Sequence, residues 1–183
     1  PSLLRGSRER AYEEFKISKH KPTVLVVGGG TGSAWLNATI DHIAPELAKE
    51  ANVIHLTGRG KEIQSKHLDH HVREFADKEM ADALAVAEVI VCRAGLSTIT
   101  ELAALSKAAV IIPLPDSPQY ANADMVADAS VILEQRHTTP QQLLEAIHAL
   151  LNDEPRRGDL GAKMHGKLRT NVADELVEML RSL

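Results

Sequence analysis

The sequence predicts an α/β fold: a Rossmann-like, doubly wound parallel sheet with helices on both faces. Three observations support this fold class. Short apolar runs alternate with helical stretches along all 183 residues. The first run, Thr23–Val27, is continuous and ends at glycines, as is typical of a central parallel strand buried on both faces. Aromatic residues make up only 3% of the chain, so the core must be built from aliphatic side chains.

Length, charge and cysteine content narrow the class of protein. We expect residues 1–183 to form one domain, because no stretch rich in Pro, Gly or Ser divides the chain. The net charge of −4 argues against nucleic acid as a partner. Cys92 is the single cysteine and cannot form an internal disulfide, which favours a reducing, cytoplasmic compartment. No apolar run reaches the roughly 18–20 residues of a membrane span, and Pro1–Lys21 contains no signal-peptide core.

The secondary structure follows from hydrophobic periodicity. A short charged helix is predicted over Arg8–Ile17. Apolar runs bounded by turn residues then predict six strands, which are Thr23–Val27, Val53–Thr57, Val72–Phe75, Val89–Cys92, Ala109–Pro113 and Val131–Leu133. Three of the connections are predicted to be helical, over Met80–Ala87, Ser97–Ser106 and Tyr120–Ala129.

The connection between the first two strands predicts a longer helix. Leu36, Ile40, Ile43 and Leu47 recur at spacings of four, three and four, which places them on one helical stripe. Pro45 lies within this stripe, so we expect it to kink the helix or divide it in two.

The carboxyl-terminal part of the chain predicts two further helices. Thr139 is the predicted N-cap of the first, with Pro140 at its first position and Gln142 as the reciprocal capping residue. The second is predicted over Lys163–Leu183, and the pair Arg156–Arg157 before it is predicted to lie in an exposed loop.

Topology then places a ligand crevice. Right-handed crossovers favour the strand order 3-2-1-4-5-6, in which the sheet reverses direction between strands one and four. The carboxyl ends of those strands run into Gly28–Ser33 and Arg93–Thr98, two polar, glycine-containing segments. We therefore expect the ligand to bind where these two segments meet.

The glycine-rich segment Gly28–Ser33 predicts a diphosphate cradle. Glycines let backbone N–H groups approach a phosphate, and a helix N-terminus adds partial positive charge. The alternative is a turn that needs positive φ and binds nothing. A dinucleotide fingerprint is not met, because Ser33 occupies the third glycine position and Thr57–Arg59 supplies no acidic residue after the second strand. A Walker A loop is excluded because no Gly-Lys-Ser/Thr follows.

Polar residues after the fourth strand have two interpretations each. Arg93 is either a bidentate donor to a diphosphate or one half of a surface salt bridge. Thr98 and Glu101 fit a capping box, whereas the functional alternative has the Glu101 carboxylate accept hydrogen bonds from ribose hydroxyls.

Two further groups of polar residues also have two interpretations each. Gln119 and Asn122 suit sugar hydroxyls because amides both donate and accept, but they also suit helix capping beside a proline-rich turn. His67–His71 contains three histidines and an aspartate, and we favour a solvated stretch over a metal site there.

Three motifs in order resemble the C-terminal domain of family 28 glycosyltransferases. They are Gly-Gly-x-x-Gly within Gly28–Gly32, Cys-Arg-x-Gly-x-x-Thr-x-x-Glu over Cys92–Glu101, and Pro-x-Pro-x(3)-Gln-x-x-Asn-Ala over Pro113–Ala123. The resemblance extends over nearly the whole chain and is strongest to bacterial members that make peptidoglycan precursors. It implies one lobe of a GT-B fold.

The resemblance also implies roles for individual residues. The implied donor-binding set comprises the backbone of Gly29, Gly30, Thr31 and Gly32 with Arg93 at the diphosphate, Glu101 at the ribose, the Ala76 backbone at the uracil, and Gln119, Asn122, Gly95 and Leu96 at the hexose.

The activity implied by the resemblance needs a second lobe. The implied donor is UDP-N-acetylglucosamine or a related UDP-sugar, and the implied reaction is inverting transfer to a lipid-linked acceptor. The general base would come from an amino-terminal acceptor-binding domain or subunit, so no catalytic residue, metal or cofactor is expected in this chain. Residues 1–20 resemble the interdomain connection, and a peripheral position at the inner face of the cell membrane would follow from the acceptor lobe.

Two departures from the family pattern bear on the donor. Gly30 and Thr31 stand where members often carry Ser and Gln, so a phosphate contact would have to come from Thr31, Ser33 or backbone. Asp116–Gln119 lacks one of two polar side chains often found there. Three alternatives stay open: a nucleotide-sugar epimerase-like enzyme, a non-catalytic sugar-nucleotide-binding subunit, and an NADP-binding domain that uses Arg59.

Overall fold

The computed structural model describes residues 3–30, 32–61, 63 and 67–167. Its centre is a parallel sheet with the order β3-β2-β1-β4-β5-β6, which confirms the predicted order and fold class. The strands are β1 (Thr23–Val27), β2 (Asn52–Leu56), β3 (His70–Arg73), β4 (Val89–Cys92), β5 (Ala109–Ile111) and β6 (Val131–Ile132).

A short 3-10 turn, Leu3–Arg5, precedes the first α-helix. The described helices are α1 (Arg8–Phe15), α2 (Ala34–Glu50), α3 (Met80–Val86), α4 (Leu96–Ala104), α5 (Gln119–Met125), α6 (Pro140–Leu151) and α7 (Glu154–His165). None of the helices within the described ranges is long and apolar enough to cross a bilayer.

Helices cover both faces of the sheet and bury two aliphatic cores. Leu25 in β1 faces the core that contains Leu84 of α3 and Leu102 of α4. Its neighbours Val24 and Val26 face the other core, which α2 and α6 cover. Full burial of an aliphatic side chain contributes about 1.5–3 kcal/mol, so the two cores hold β1 and β4 firmly in the middle of the sheet.

The long helix α2 confirms the predicted stripe but not a division at Pro45. Leu36, Ile40, Ile43 and Leu47 are all buried, and the helix runs from Ala34 to Glu50 without interruption. Pro45 lies on the exposed side of α2. The hydrogen bond that its missing N–H cannot make is therefore lost on the face where water satisfies the freed carbonyl, while the buried stripe holds both halves together.

Several predicted bounds were wrong; the helix predicted over Tyr120–Ala129, for example, spans Gln119–Met125. The third strand spans His70–Arg73 and not Val72–Phe75, because His70 is buried beside Val53 of β2 in the parallel register. The Arg156–Arg157 pair lies inside α7 and not in an exposed loop.

Helix α7 begins at Glu154 because Asp153 caps it, with a side chain that accepts a hydrogen bond from the Arg156 amide. Arg157 Nη1 donates to the carbonyls of Leu150 and Leu151, at 2.7 Å each, and so satisfies the C-terminus of α6. The predicted helix Lys163–Leu183 overlaps only the last turn of α7, and residues 168–183 lie outside the described residues.

Candidate functional site

A polar cleft lies at the carboxyl ends of β1 and β4, where the topology predicts a ligand. Its volume is about 480 Å³. It is lined by Gly28, Gly29, Gly30, Gly32, Ser33, Ala34, Trp35, Lys61, Arg93, Gly95, Ser97, Thr98, Leu114, Gln119 and Gln135. We call this space the main cleft.

A smaller cavity of about 260 Å³ adjoins the main cleft on the β2 side. It is more apolar, and we call it the side cavity; it is lined by Val27, Gly29, Gly30, Leu56, Gly58, Glu74, Phe75, Met80, Ser97, Thr98 and Glu101. Gly29, Gly30, Ser97 and Thr98 line both spaces, so these four residues form the passage between them.

The glycines of the first loop are required for different reasons. Gly29 and Gly32 have φ of +85° and +67°, in the left-handed region that favours glycine. A Cβ on Gly32 would lie 2.1 Å from the Thr57 carbonyl oxygen, and one on Gly28 would lie 2.8 Å from the Ser33 amide nitrogen. At Gly30, however, φ is not positive, and a Cβ would meet no described atom within 4 Å. Protein packing and backbone conformation therefore do not explain Gly30, which leaves bare backbone at the cleft.

The amides of this loop are only partly used by the protein itself. The Gly28 amide donates to the Leu56 carbonyl and the Gly32 amide to the Gly29 carbonyl. The amides of Gly29 and Gly30 donate to no described residue. Thr31, a predicted diphosphate-binding residue, lies outside the described residues.

The two helices that point at the cleft begin differently. Ser33 caps α2, since its Oγ accepts from the Leu36 amide at 3.2 Å. Helix α4 begins after Gly95 without a side-chain cap, so the predicted capping box of Thr98 and Glu101 was wrong. Glycine occupies the N-cap position, which places Thr98 one turn too far along the helix. The uncapped amides at the start of α4 open onto the passage between the two spaces.

Glu101 lies in the side cavity and not in a cap. Its carboxylate makes no hydrogen bond or ion pair with any residue in the part of the chain that the structure describes. Burial without a cationic partner raises the pKa of Glu101 above its ordinary value. Its oxygens are therefore available to a ligand.

Arg93 is buried, with 6% of its surface exposed, so the predicted surface salt bridge was wrong. Its Nη1 donates to the carbonyls of Ile112 (3.0 Å) and Pro113 (3.3 Å). Its Nη2 donates to Ser33 Oγ and to Gln135 Oε1, at 2.6 Å each. One guanidinium thus joins the exits of β1, β4, β5 and β6. Burial lowers the pKa of Arg93, and no carboxylate pairs with it among the described residues.

The two predicted hexose-facing amides lie in different places. Gln119 lines the main cleft, and its Oε1 accepts from the Leu114 amide at 3.0 Å. Asn122 lines neither space; its Nδ2 donates to the Ala94 carbonyl at 3.0 Å and ties α5 to the exit of β4. Neither side chain caps α5, whose N-cap is Pro118. The alternative of helix capping was therefore wrong.

The remaining predicted residues divide between the cleft and its surroundings. Gly95 lines the main cleft, whereas Leu96 is 55% exposed and lines neither space. Ala76 is buried and lines neither space. Its neighbour in sequence, Phe75, lines the side cavity, with the Arg59 guanidinium 5.3 Å from the Phe75 ring centre.

Sequence reasoning missed Trp35, Lys61 and Gln135, all of which line the main cleft. Lys61 follows β2, and its Nζ donates to the Gly32 carbonyl at 3.2 Å. Gln135 follows β6. The useful signal was their place after parallel strands, since every such exit borders the same edge of the sheet.

The histidine-rich stretch is partly buried, so the predicted solvated stretch was wrong for His70. The His70 ring stacks on that of His55, and His70 Nε2 lies 3.2 Å from His55 Nδ1. His55 Nε2 lies 3.1 Å from Asn37 Oδ1, and Asn37 Nδ2 donates to the Thr57 carbonyl. Burial lowers the pKa of His55 to about 3 and that of His70 to about 4. Within the described ranges, no group of three possible ligands is arranged to hold a metal ion.

Comparison with known proteins agrees with the geometry. A sequence profile of the glycosyltransferase family 28 C-terminal domain matches residues 23–176. The chain is 34% identical over 158 residues to the UDP-N-acetylglucosamine--N-acetylmuramyl-(pentapeptide) pyrophosphoryl-undecaprenol N-acetylglucosamine transferase of Clostridium perfringens, and 32% identical over 181 residues to the transferase of that name from Bifidobacterium longum. These matches cover 81% and 85% of the chain but 44% and 46% of the relatives, so the chain spans about half their length.

Solved structures show the same fold. The crystal structure of MurG from Acinetobacter baumannii superimposes with a TM-score of 0.76 at 28% identity, over 94% of this chain and 53% of that one. The glycosyltransferase VinC, solved in complex with dTDP, superimposes with a TM-score of 0.69 at 20% identity, over 93% of this chain and 44% of that one. These likenesses confirm the predicted Rossmann-like lobe of the GT-B type.

Proposed function

Because the chain belongs to glycosyltransferase family 28, as its C-terminal domain, we propose that it is the donor-binding lobe of a two-lobed transferase. The donor is a UDP-sugar, with UDP-N-acetylglucosamine the first candidate, since the name of the relatives specifies that donor. A partner lobe or subunit supplies the acceptor site.

The observation that carries this proposal is the unexplained glycine at position 30. A turn that binds nothing would need glycine only where φ is positive or where a Cβ would clash, and neither holds at Gly30. Its amide and that of Gly29 donate to no described residue. Bare backbone with unused N–H groups at the carboxyl edge of a parallel sheet suits a phosphate.

The two connected spaces match the parts of a nucleotide sugar. The apolar side cavity takes the nucleoside, with Phe75 and Leu56 against the base and the unpaired Glu101 carboxylate accepting from ribose hydroxyls. The passage at Gly29, Gly30 and the start of α4 takes the diphosphate, and the main cleft takes the hexose beside Gln119. The Ala76 backbone, next to Phe75 in sequence, is the proposed contact for the uracil.

The lobe's chemical contribution is to the leaving group. In an inverting transfer, an acceptor hydroxyl attacks the anomeric carbon and displaces UDP, so negative charge grows on the β-phosphate. The free amides of Gly29 and Gly30 and the uncapped N-terminus of α4 meet that charge with fixed dipoles. The general base belongs to the acceptor lobe, so this chain alone should bind donor without appreciable transfer.

The acceptor is proposed from the relatives' name. They act on an N-acetylmuramyl-pentapeptide linked through pyrophosphate to undecaprenol. We infer a lipid-linked peptidoglycan precursor as the acceptor of the complete enzyme, which would bring this lobe to the inner face of the cell membrane through its partner.

A calorimetric titration of the chain with UDP-N-acetylglucosamine, UDP and NADPH tests the proposal. We expect saturable binding of both uridine nucleotides and none of NADPH. Glu101→Ala should weaken UDP binding, because its removal takes the ribose acceptor away, whereas Glu145→Ala at an exposed position of α6 should not. Conversion of the donor sugar to an epimer would support an epimerase, and absence of any UDP binding would contradict a donor lobe.

A further inference from the structure

Gln135 lines the main cleft without belonging to any of the three motifs described above. It follows β6, the last strand of the sheet, and enters the site from the side opposite the glycine loop. The main cleft therefore receives an amide from each of the last two strand exits, Gln119 after β5 and Gln135 after β6.

The orientation of the Gln135 amide is fixed by its partner. A guanidinium can only donate hydrogen bonds, so the amide atom 2.6 Å from Arg93 Nη2 is the oxygen. The Nε2 of Gln135 donates to no described residue. Gln119 is fixed in the same way, since its oxygen accepts from the Leu114 amide. Both amides thus have an occupied acceptor and two unused donors at the cleft.

Arg93 holds Gln135 in place and has no spare terminal donor for a ligand. The four N–H bonds of its Nη1 and Nη2 match the four acceptors that it contacts, two carbonyls after β5, Ser33 Oγ and Gln135 Oε1. Ser33 Oγ and Gln135 Oε1 contact the same nitrogen. The Arg93 guanidinium, which holds the N-cap residue Ser33 of α2, therefore also fixes the position of Gln135.

Gln135 lies on the hexose side of the proposed donor. The passage that would hold the diphosphate consists of residues common to the two spaces, and Gln135 lines only the main cleft, as Gln119 does. Sugar hydroxyl and N-acetyl carbonyl oxygens are acceptors that match a pair of N–H donors.

We propose that Gln135 is a donor-specificity residue, whose Nε2 donates to an oxygen of the transferred hexose, with Arg93 as the positioning residue that holds the amide. This inference rests on the proposed function, since it assumes a UDP-sugar in the cleft. The inference adds a residue that follows β6 to the proposed sugar site.

The test compares the dissociation constants of UDP-N-acetylglucosamine and UDP for the wild-type chain and three variants by calorimetry. Gln135→Met removes both N–H donors, and Gln135→Glu removes them while keeping an acceptor for Arg93. Each variant should weaken the binding of UDP-N-acetylglucosamine about three- to tenfold relative to the binding of UDP, the loss expected for one hydrogen bond. Gln141→Met is the matched control, because this exposed glutamine of α6 contacts only Glu145 among the described residues, and it should leave the ratio unchanged.

An unchanged ratio of the two dissociation constants in both Gln135 variants would overturn the inference while leaving the proposed function intact. Equal losses of affinity for UDP and for UDP-N-acetylglucosamine would overturn the inference too, because they would mean that Gln135 only supports the loops around Arg93. If the wild-type chain bound neither ligand, the proposed function itself would fail.

Discussion

Replacing Gly30 by alanine separates the requirements of folding from those of binding. Because Gly30 has no positive φ and a Cβ there meets no described atom within 4 Å, the folded state should accept the methyl group without strain. Loss of backbone freedom in the unfolded chain should then raise the free energy of unfolding by about 0.4–1 kcal/mol. In the proposed complex, the same methyl group lies where the diphosphate approaches the loop. The Ser that family members often carry at this position brings a hydroxyl that replaces the lost contact, whereas alanine brings only the methyl group.

The expected binding loss is much larger than the stability change. Displacing a phosphate from one amide costs about 1.5–3 kcal/mol, the range for hydrogen bonds to charged groups, which corresponds to roughly 10- to 150-fold in the dissociation constant of UDP.

Two glycines serve as controls. Gly32→Ala forces a Cβ into positive φ, 2.1 Å from the Thr57 carbonyl, and should lose at least about 2 kcal/mol of stability. Gly158→Ala, on α7 with open space around it, should leave UDP binding unchanged.

Thermal denaturation followed by circular dichroism gives the stabilities, and calorimetric titration with UDP gives the affinities. The reasoning is refuted if Gly30→Ala binds UDP as tightly as the wild type. It is also refuted if Gly30→Ala unfolds as readily as Gly32→Ala, because Gly30 would then be a structural glycine and would no longer point to a ligand.

Three other outcomes are expected. Because burial holds the pKa of His55 at about 3 and that of His70 at about 4, below the 6.5 of an exposed histidine, stability should be fully present above pH 6.5 and fall as the pH drops toward 4. The free energy of unfolding should fall by up to about 1.4 kcal/mol per pH unit for each histidine. In urea unfolding measured at several pH values, His55→Gln should lose less stability over the same pH range than the wild type. Arg93→Lys should lower both the melting temperature and the affinity for UDP-N-acetylglucosamine, because an ammonium has three donors for the four acceptors that Arg93 contacts. A wild-type affinity in this variant would show that the hydrogen bonds of Arg93 do not shape the site. Thr139→Ala should cost about 1 kcal/mol in urea unfolding by removing the capping box of α6, with UDP affinity unchanged.

The layout of the fold could be predicted from the sequence because its signals are local and repeated. Thr23–Val27 and Val89–Cys92 match their strands at both ends, and the cap of α6 at Thr139 matches in full. The handedness of crossovers then orders the sheet without further information. Bounds that depend on tertiary contacts could not be predicted locally. The strand β3 begins at His70 and not at Val72, because the His70 side chain pairs with His55 across the sheet.

The site was predicted to the level of its loops but not of its side chains. The exits of β1 and β4 do meet, and the 2.6 Å contact between Arg93 and Ser33 joins them. The contacts of these side chains depend on loops that are distant in sequence. Arg93 is buried among carbonyl groups after β5, and Asn122 binds the Ala94 carbonyl. The same dependence hid Gln135, whose acceptor is taken by Arg93, 42 residues before it.

For the phosphate contact that the family's usual Ser would supply, we propose backbone amides among the described residues. Ser33, the nearest hydroxyl, is already committed to the Leu36 amide and to Arg93. The amide groups of Gly29, Gly30 and the first turn of α4 are the backbone donors that the cleft offers to an anion, and the Lys61 ammonium lines the same cleft. The proposed diphosphate site would therefore depend on backbone geometry more than on any single side chain.

The most direct test of this account is the amide NMR spectrum of the 15N-labelled chain during titration with UDP. We expect the resonances of Gly29, Gly30 and Leu96–Thr98 to move saturably and together, because their N–H groups acquire a phosphate acceptor. Shifts confined to other surfaces, with these amides unmoved at saturating UDP, would contradict the central claim that this cleft binds a nucleotide diphosphate.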